Sequence, residues 1–63
     1  MYRVIKYVVN YENKHTDEYY VMEGLTKEQA EELAENLNII DTQVCEQLNV
    51  DIENKVEKEE TND

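Results

Sequence analysis

Sixty-three residues make one small domain at most, and 16 acidic against 6 basic side chains leave a net charge of −10. There is one Cys, one His and one Gly, with no Pro, Trp, Phe or Ser. These counts exclude a cofactor-binding domain, an internal disulfide and a serine-based triad, and a chain this negative repels nucleic acid and anionic membrane.

The first segment, Tyr2 to Tyr11, reads as a strand, because Val4, Ile5, Tyr7, Val8, Val9 and Tyr11 are the β-branched and aromatic types that suit a pleated surface. Its odd positions carry Ile5, Tyr7, Val9 and Tyr11, and its even positions Tyr2, Val4, Lys6 and Val8. Both faces are therefore largely apolar. The segment lacks the long apolar run of a signal peptide or membrane span, so a cytoplasmic location, in a cell or an infected host, is expected. One free Cys agrees with a reducing compartment. Residues 12–17 are polar and suit a hairpin loop. Residues 18–23 return as a second strand, with Tyr19 and Val21 on one face and Tyr20 and Met22 on the other.

Gly24-Leu25-Thr26 closes that strand. Thr26 is a good helix N-cap and Gln29 completes a capping box. Ala30, Leu33, Ala34 and Leu37 then recur at i, i+3, i+4 and i+7, one face of an amphipathic helix over about residues 27–38. Asp41 and Thr42 serve as a turn. Beyond them two periods overlap. Val44, Leu48, Val50 and Ile52 alternate with polar residues, as in a strand, while Ile40, Val44, Leu48 and Ile52 recur every fourth residue, as in a helix. The poor helix propensity of Asn49-Val50-Asp51-Ile52 favours a strand over roughly 43–53. From Lys55 onward the chain is almost wholly polar and reads as a disordered acidic tail.

The expected architecture is α+β: β-β-α-β, a three-stranded antiparallel sheet carrying one amphipathic helix on one face, with a single domain at 1–54 and a tail at 55–63. A domain of this length buries only about 60% of its unfolded surface. Such scaffolds usually need a disulfide, a metal or oligomerisation. With both faces of the first strand apolar, a homodimer is expected, and Tyr7, Val9, Tyr11, Tyr19 and Val21 are its candidate contacts or a hydrophobic anchor. Core packing explains the same tyrosines equally well.

Charge is distributed unevenly. Residues 1–22 carry three basic and three acidic side chains, whereas residues 23–63 carry three basic and thirteen acidic ones, so the whole net charge lies on the helix and the segment after it. Glu28, Glu31, Glu32 and Glu35 fall at i, i+3, i+4 and i+7, a carboxylate stripe opposite the apolar one. Each like-charge i, i+4 pair costs an isolated helix roughly 0.2–0.5 kcal/mol. The axial rise from Glu28 to Glu32 is about 6 Å, of the order of the spacing of successive phosphates along a nucleic-acid strand. A solvated face that serves solubility accounts for such a stripe as well.

Chemistry is sparse. His15 stands alone in a polar loop, Cys45 is the only candidate nucleophile, and no signature joins the two, so no enzymatic activity is expected. Asp51, Glu53 and Glu57 lack the ladder and turn glycine of a Ca²⁺ loop, so neither metal nor cofactor is expected.

The hairpin followed by a capped helix, YVVNYENKHTDEYYVMEGLTKEQAEELAENLN, together with small size and acidic balance, resembles small phage-encoded DNA-mimic inhibitors. These include anti-CRISPR proteins and the phage inhibitors of uracil-DNA glycosylase. The resemblance lies in the layout of residues 2–53, and the helix departs from those inhibitors in lacking an aromatic anchor. It implies a viral inhibitor that binds a host nucleic-acid-binding protein, with no direct contact with nucleic acid or membrane. It carries over no site residue, and the charge layout offers Glu28, Glu31, Glu32 and Glu35 as the phosphate-like contacts. The alternative is a homodimeric, non-mimetic protein-interaction module that uses the Tyr/Val hairpin surface.

Overall fold

The computed structural model describes residues 1–59 and gives three antiparallel strands and one helix in the order β-β-α-β. The strands are β1 (Tyr2–Asn10), β2 (His15–Leu25) and β3 (Val50–Lys58), and the helix α1 (Lys27–Leu48) lies between the last two. The sheet order is β2-β1-β3, so the apolar first strand is central and flanked on both sides. A four-residue turn joins β1 to β2. Asn10 Oδ1 accepts the Glu12 N–H at 2.9 Å and Asn13 Oδ1 accepts the His15 N–H at 3.0 Å, the local side-chain bonds that make Asn a turn residue.

Alternation assigns the two faces of β1. Val4 points to α1 and packs with Ala30 and Ala34, and Tyr2, Val21, Leu25, Leu33, Leu37 and Val56 close around them. Two alanines let the helix approach the sheet closely, and Val4 becomes fully buried, which contributes about 1.5–3 kcal/mol. Lys6, two residues on, faces the same way and meets the helix residue Asp41. The odd positions face the open side. Ile5 stands there between Tyr20 of β2 and Lys55 of β3 in register, and between Arg3 and Tyr7 along its own strand. Arg3 lies over the Tyr20 ring at 5.3 Å and Lys55 over the Tyr7 ring at 5.6 Å. These long side chains enclose Ile5, which is only 3% exposed on a face that no helix covers.

The helix starts as its cap dictates. Thr26 Oγ1 accepts the Gln29 N–H and Gln29 Oε1 accepts the Thr26 N–H, each at 3.1 Å. It ends ten residues later than the expected 38. Asp41 and Thr42 are not a turn: Asp41 is buried in mid-helix, and the Thr42 hydroxyl donates back to the Asn38 carbonyl at 2.7 Å. Residues 43–48, expected in the last strand, belong to α1, and Cys45 lies half-buried on the helix. Asn49 at φ 54° is the left-handed cap that separates helix from strand. The alternation that suggests a strand at 43–53 is the helix repeat of every fourth residue, running without a break into the strand repeat of every second. β3 also extends through Lys58, past the expected boundary at 54/55, so residues 55–58 are sheet rather than tail. Of the rest of the expected tail, Glu59 still donates its N–H to the Met1 carbonyl at 3.0 Å, and 60–63 lie outside the described residues.

A polar cluster fixes α1 on the sheet. Asp41 Oδ2 accepts from Asn54 Nδ2 at 2.8 Å and pairs with Lys6 Nζ at 3.1 Å. Asn38 Oδ1 accepts from both the backbone N–H and the side-chain amide of Asn54, and Asn38 Nδ2 donates to the Asn54 carbonyl. Burial alone would raise the Asp41 carboxyl, but the Asn54 amide and the Lys6 ammonium outweigh it and hold the group below the usual aspartate range.

Candidate functional site

The capping box sets the rotation of α1 from its first residue, and the apolar stripe of Ala30, Leu33, Ala34 and Leu37 then turns the opposite face to solvent. Glu28, Glu31, Glu32 and Glu35 all lie exposed on that outer face. None takes part in an ion pair among the described residues. Glu28, in the first turn, is stabilised by the helix dipole, whereas the other three gain little from it.

The longer helix adds residues that a reading stopping at 38 misses. At 3.6 residues per turn, Ile39 and Glu46 continue the line of Glu28, Glu32 and Glu35. The stripe therefore runs about 27 Å from Glu28 to Glu46. Ile39 is 63% exposed in its middle, and Ile40 beside it is 60% exposed. An apolar side chain thus stands inside the carboxylate row, on a helix without aromatics. The signal for it is the every-fourth-residue repeat.

The hairpin residues do not form one patch. Tyr7 and Val9 lie on the open sheet face. Val21 packs into the core on the helix side, so it belongs to the fold and not to an outer contact surface. Tyr19 pairs with Lys6 in register, which places it on the helix side as well, yet it is 53% exposed because α1 lies chiefly over β3. Tyr11 stands past the end of β1 and donates its hydroxyl to Asp51. That hydrogen bond, followed by partial burial, raises the Tyr11 phenol above its ordinary value. Burial, then the neighbouring carboxylates of Glu18 and Glu57, raises Tyr7 in the same direction.

The open face is mixed in charge. Arg3 binds Glu57 at 2.5 Å, and Glu18 lies opposite Tyr7 from the other side. His15 pairs with Asp17 at 3.0 Å at the hairpin end, while Cys45 Sγ accepts the Ile52 N–H at 3.2 Å under the helix. Each of the two thus has its own separate partner. Among the described residues no three His, Cys, Asp or Glu side chains converge on a metal position, no pocket opens, and no helix is long and apolar enough to cross a membrane. Exposed among the described residues are the carboxylates of the outer helix face, with Ile39 and Ile40 among them, and Tyr19, Tyr20 and Met22 on β2. Comparison with protein-family models, with curated proteins and with solved structures returns no match.

Proposed function

We propose that this protein is a small acidic inhibitor, of the kind phages encode, that occupies the basic nucleic-acid-binding surface of another protein. The observation that carries the reading is the outer face of α1: four glutamates, exposed on one stripe and without a cationic partner among the described residues. Fold stability alone gives no reason for it, since the like-charge i, i+4 pairs Glu28–Glu32 and Glu31–Glu35 oppose the helix. A basic groove reverses that repulsion into attraction. Ile39 adds an apolar contact within the row, so binding would not rest on charge alone.

The test is competition. The protein is immobilised and exposed to the heparin-retained fraction of a bacterial lysate at low salt, and bound proteins are challenged with duplex DNA. The reading expects nucleic-acid-binding proteins to be held and then released by the duplex. Retention unaffected by saturating duplex contradicts it. A second reading, an interaction module that uses the hairpin, is favoured by Tyr19, Tyr20 and Met22, each at least half exposed on β2. It predicts binding that persists as salt rises, whereas charge mimicry predicts a steep loss.

A further inference from the structure

The two edges of the sheet are not equivalent. On β3 three of the outward backbone groups are taken up by the helix. The Ile52 N–H donates to Cys45 Sγ at 3.2 Å, the Asn54 N–H donates to Asn38 Oδ1 at 2.8 Å, and the Asn54 carbonyl accepts from Asn38 Nδ2 at 3.2 Å. These bonds also fix the phase of the whole sheet. Ile52 and Asn54 direct their backbone away from β1, so Val8 and Lys6, opposite them, direct theirs toward Asp17 and Tyr19 of β2. The intervening residues Thr16, Glu18 and Tyr20 therefore direct their N–H and carbonyl groups to the free edge of β2. Among the described residues nothing takes those groups up. The same edge carries exposed Tyr19, Tyr20 and Met22.

The geometry points to β2 as a self-pairing edge: a second copy of this chain adds its own β2 antiparallel, making a continuous six-stranded sheet about a two-fold axis through Tyr19. Opposed residues in an antiparallel pair must share the same backbone phase, so the axis passes through a residue and not between two. Through Asp17 it would oppose Asp17 to itself, and through Glu18 it would oppose Glu18 to itself. Through Tyr20 it would set the outward Glu18 against Met22, whose backbone phase is reversed by the irregularity of β2 opposite Val4 and Ile5. Through Tyr19 no like charges face each other. Tyr19 then meets its own copy, and Glu18 faces the partner's Tyr20, over whose ring the partner's Arg3 lies as Arg3 does here. A carboxylate thus meets a guanidinium across the new edge, and the exposed tyrosines gain aromatic cross-strand neighbours. A foreign strand has no such built-in register. The two-fold axis stands perpendicular to the sheet, so both helices lie on one side of the dimer. None of this depends on the target proposed above.

Two variants of the full chain test it. Because the Glu18 N–H points outward, Glu18→Pro removes an edge donor without removing a bond of the monomer. Tyr19→Cys places two thiols at a non-hydrogen-bonded pair, where Cα atoms lie about 4.5 Å apart, within reach of a disulfide. Sedimentation velocity of the wild type is expected to show twice the 7.5 kDa chain mass as concentration rises. Glu18→Pro is expected to weaken the dimer about tenfold or more with an unchanged circular-dichroism spectrum. Tyr19→Cys should cross-link under mild oxidation much faster than Glu12→Cys in the turn. A wild type that stays at the mass of one chain overturns the proposal, as does cross-linking of Tyr19→Cys no faster than the turn control. The cross-linking comparison decides the matter even if the proline variant fails to fold.

Discussion

Val4, Thr26 and Asp41 each hold a different part of this chain in place, and each makes a separate prediction. Val4 is fully buried and is the largest such side chain, so Val4→Ala leaves a cavity that a thin core fills poorly. The expected loss is about 2 kcal/mol, read from a urea midpoint. Thr26→Ala removes the hydroxyl that accepts the Gln29 N–H, leaving only the Gln29 arm of the capping box, and should cost about 1 kcal/mol in the same measurement. Asp41 sets the acid limit. Its carboxyl titrates below the aspartate of the unfolded chain, so its contribution is fully present above the unfolded value of about 3.9 and is lost as pH falls through the folded value. Asp41→Asn should therefore lower stability at neutral pH and flatten the decline below about pH 4. A variant that melts as the wild type does at both pH values would show that the Lys6–Asp41–Asn54 cluster adds nothing.

The elements are legible in the sequence to different depths, for identifiable reasons. The hairpin and the helix start are plain, because β-branched residues, a polar turn and Thr26/Gln29 are local signals, although the turn falls at 11–14 and not 12–17, so that residues 15–17, expected in the loop, open β2. The helix end is not. Val44, Leu48, Val50 and Ile52 all fall on even positions, and an even spacing of four serves a helix as well as a spacing of two serves a strand. The divider is Asn49, whose tolerance of the left-handed region marks the change of period. The strand end is obscured by Asn54, a buried polar residue at an inward position, and by Lys55 and Glu57, whose charges face the open side against Tyr7 and Arg3. A buried Asn needs partners that only the tertiary fold supplies, here Asn38 and Asp41. The acidic stripe is readable, but Ile39 and Glu46 join it only once the helix reaches Leu48. Nothing in the sequence distinguishes the guarded edge of β3 from the open edge of β2, because the guards are helix side chains brought there by packing.

For the whole molecule, shape and charge act together. The Cα radius of gyration is 12.8 Å, against roughly 11 Å for a compact chain of this length. The buried apolar core is Val4, Ile5, Ala30 and Ala34. A flat two-layer body with so small a core has little stability to spare, and a net charge of −10 works against it. Raising salt from about 20 to 500 mM shortens the Debye length from roughly 20 Å to 4 Å, so the melting temperature should rise. If the β2 edge pairs as inferred, the melting temperature should rise with protein concentration too. Target binding should respond to salt in the opposite sense, because the repulsion that salt relieves within the fold is the attraction that it weakens at a basic groove. The most direct measurement sets the wild type beside a chain with Glu28, Glu31, Glu32 and Glu35 all changed to Gln. Each is immobilised, loaded with the heparin-retained fraction of a bacterial lysate and eluted with a salt gradient. The account predicts that nucleic-acid-binding proteins stay on the wild type, leave at modest salt, and bind the four-Gln chain about ten- to a hundredfold more weakly. The same proteins held by both chains to the same salt would contradict it and leave the stripe with solubility alone.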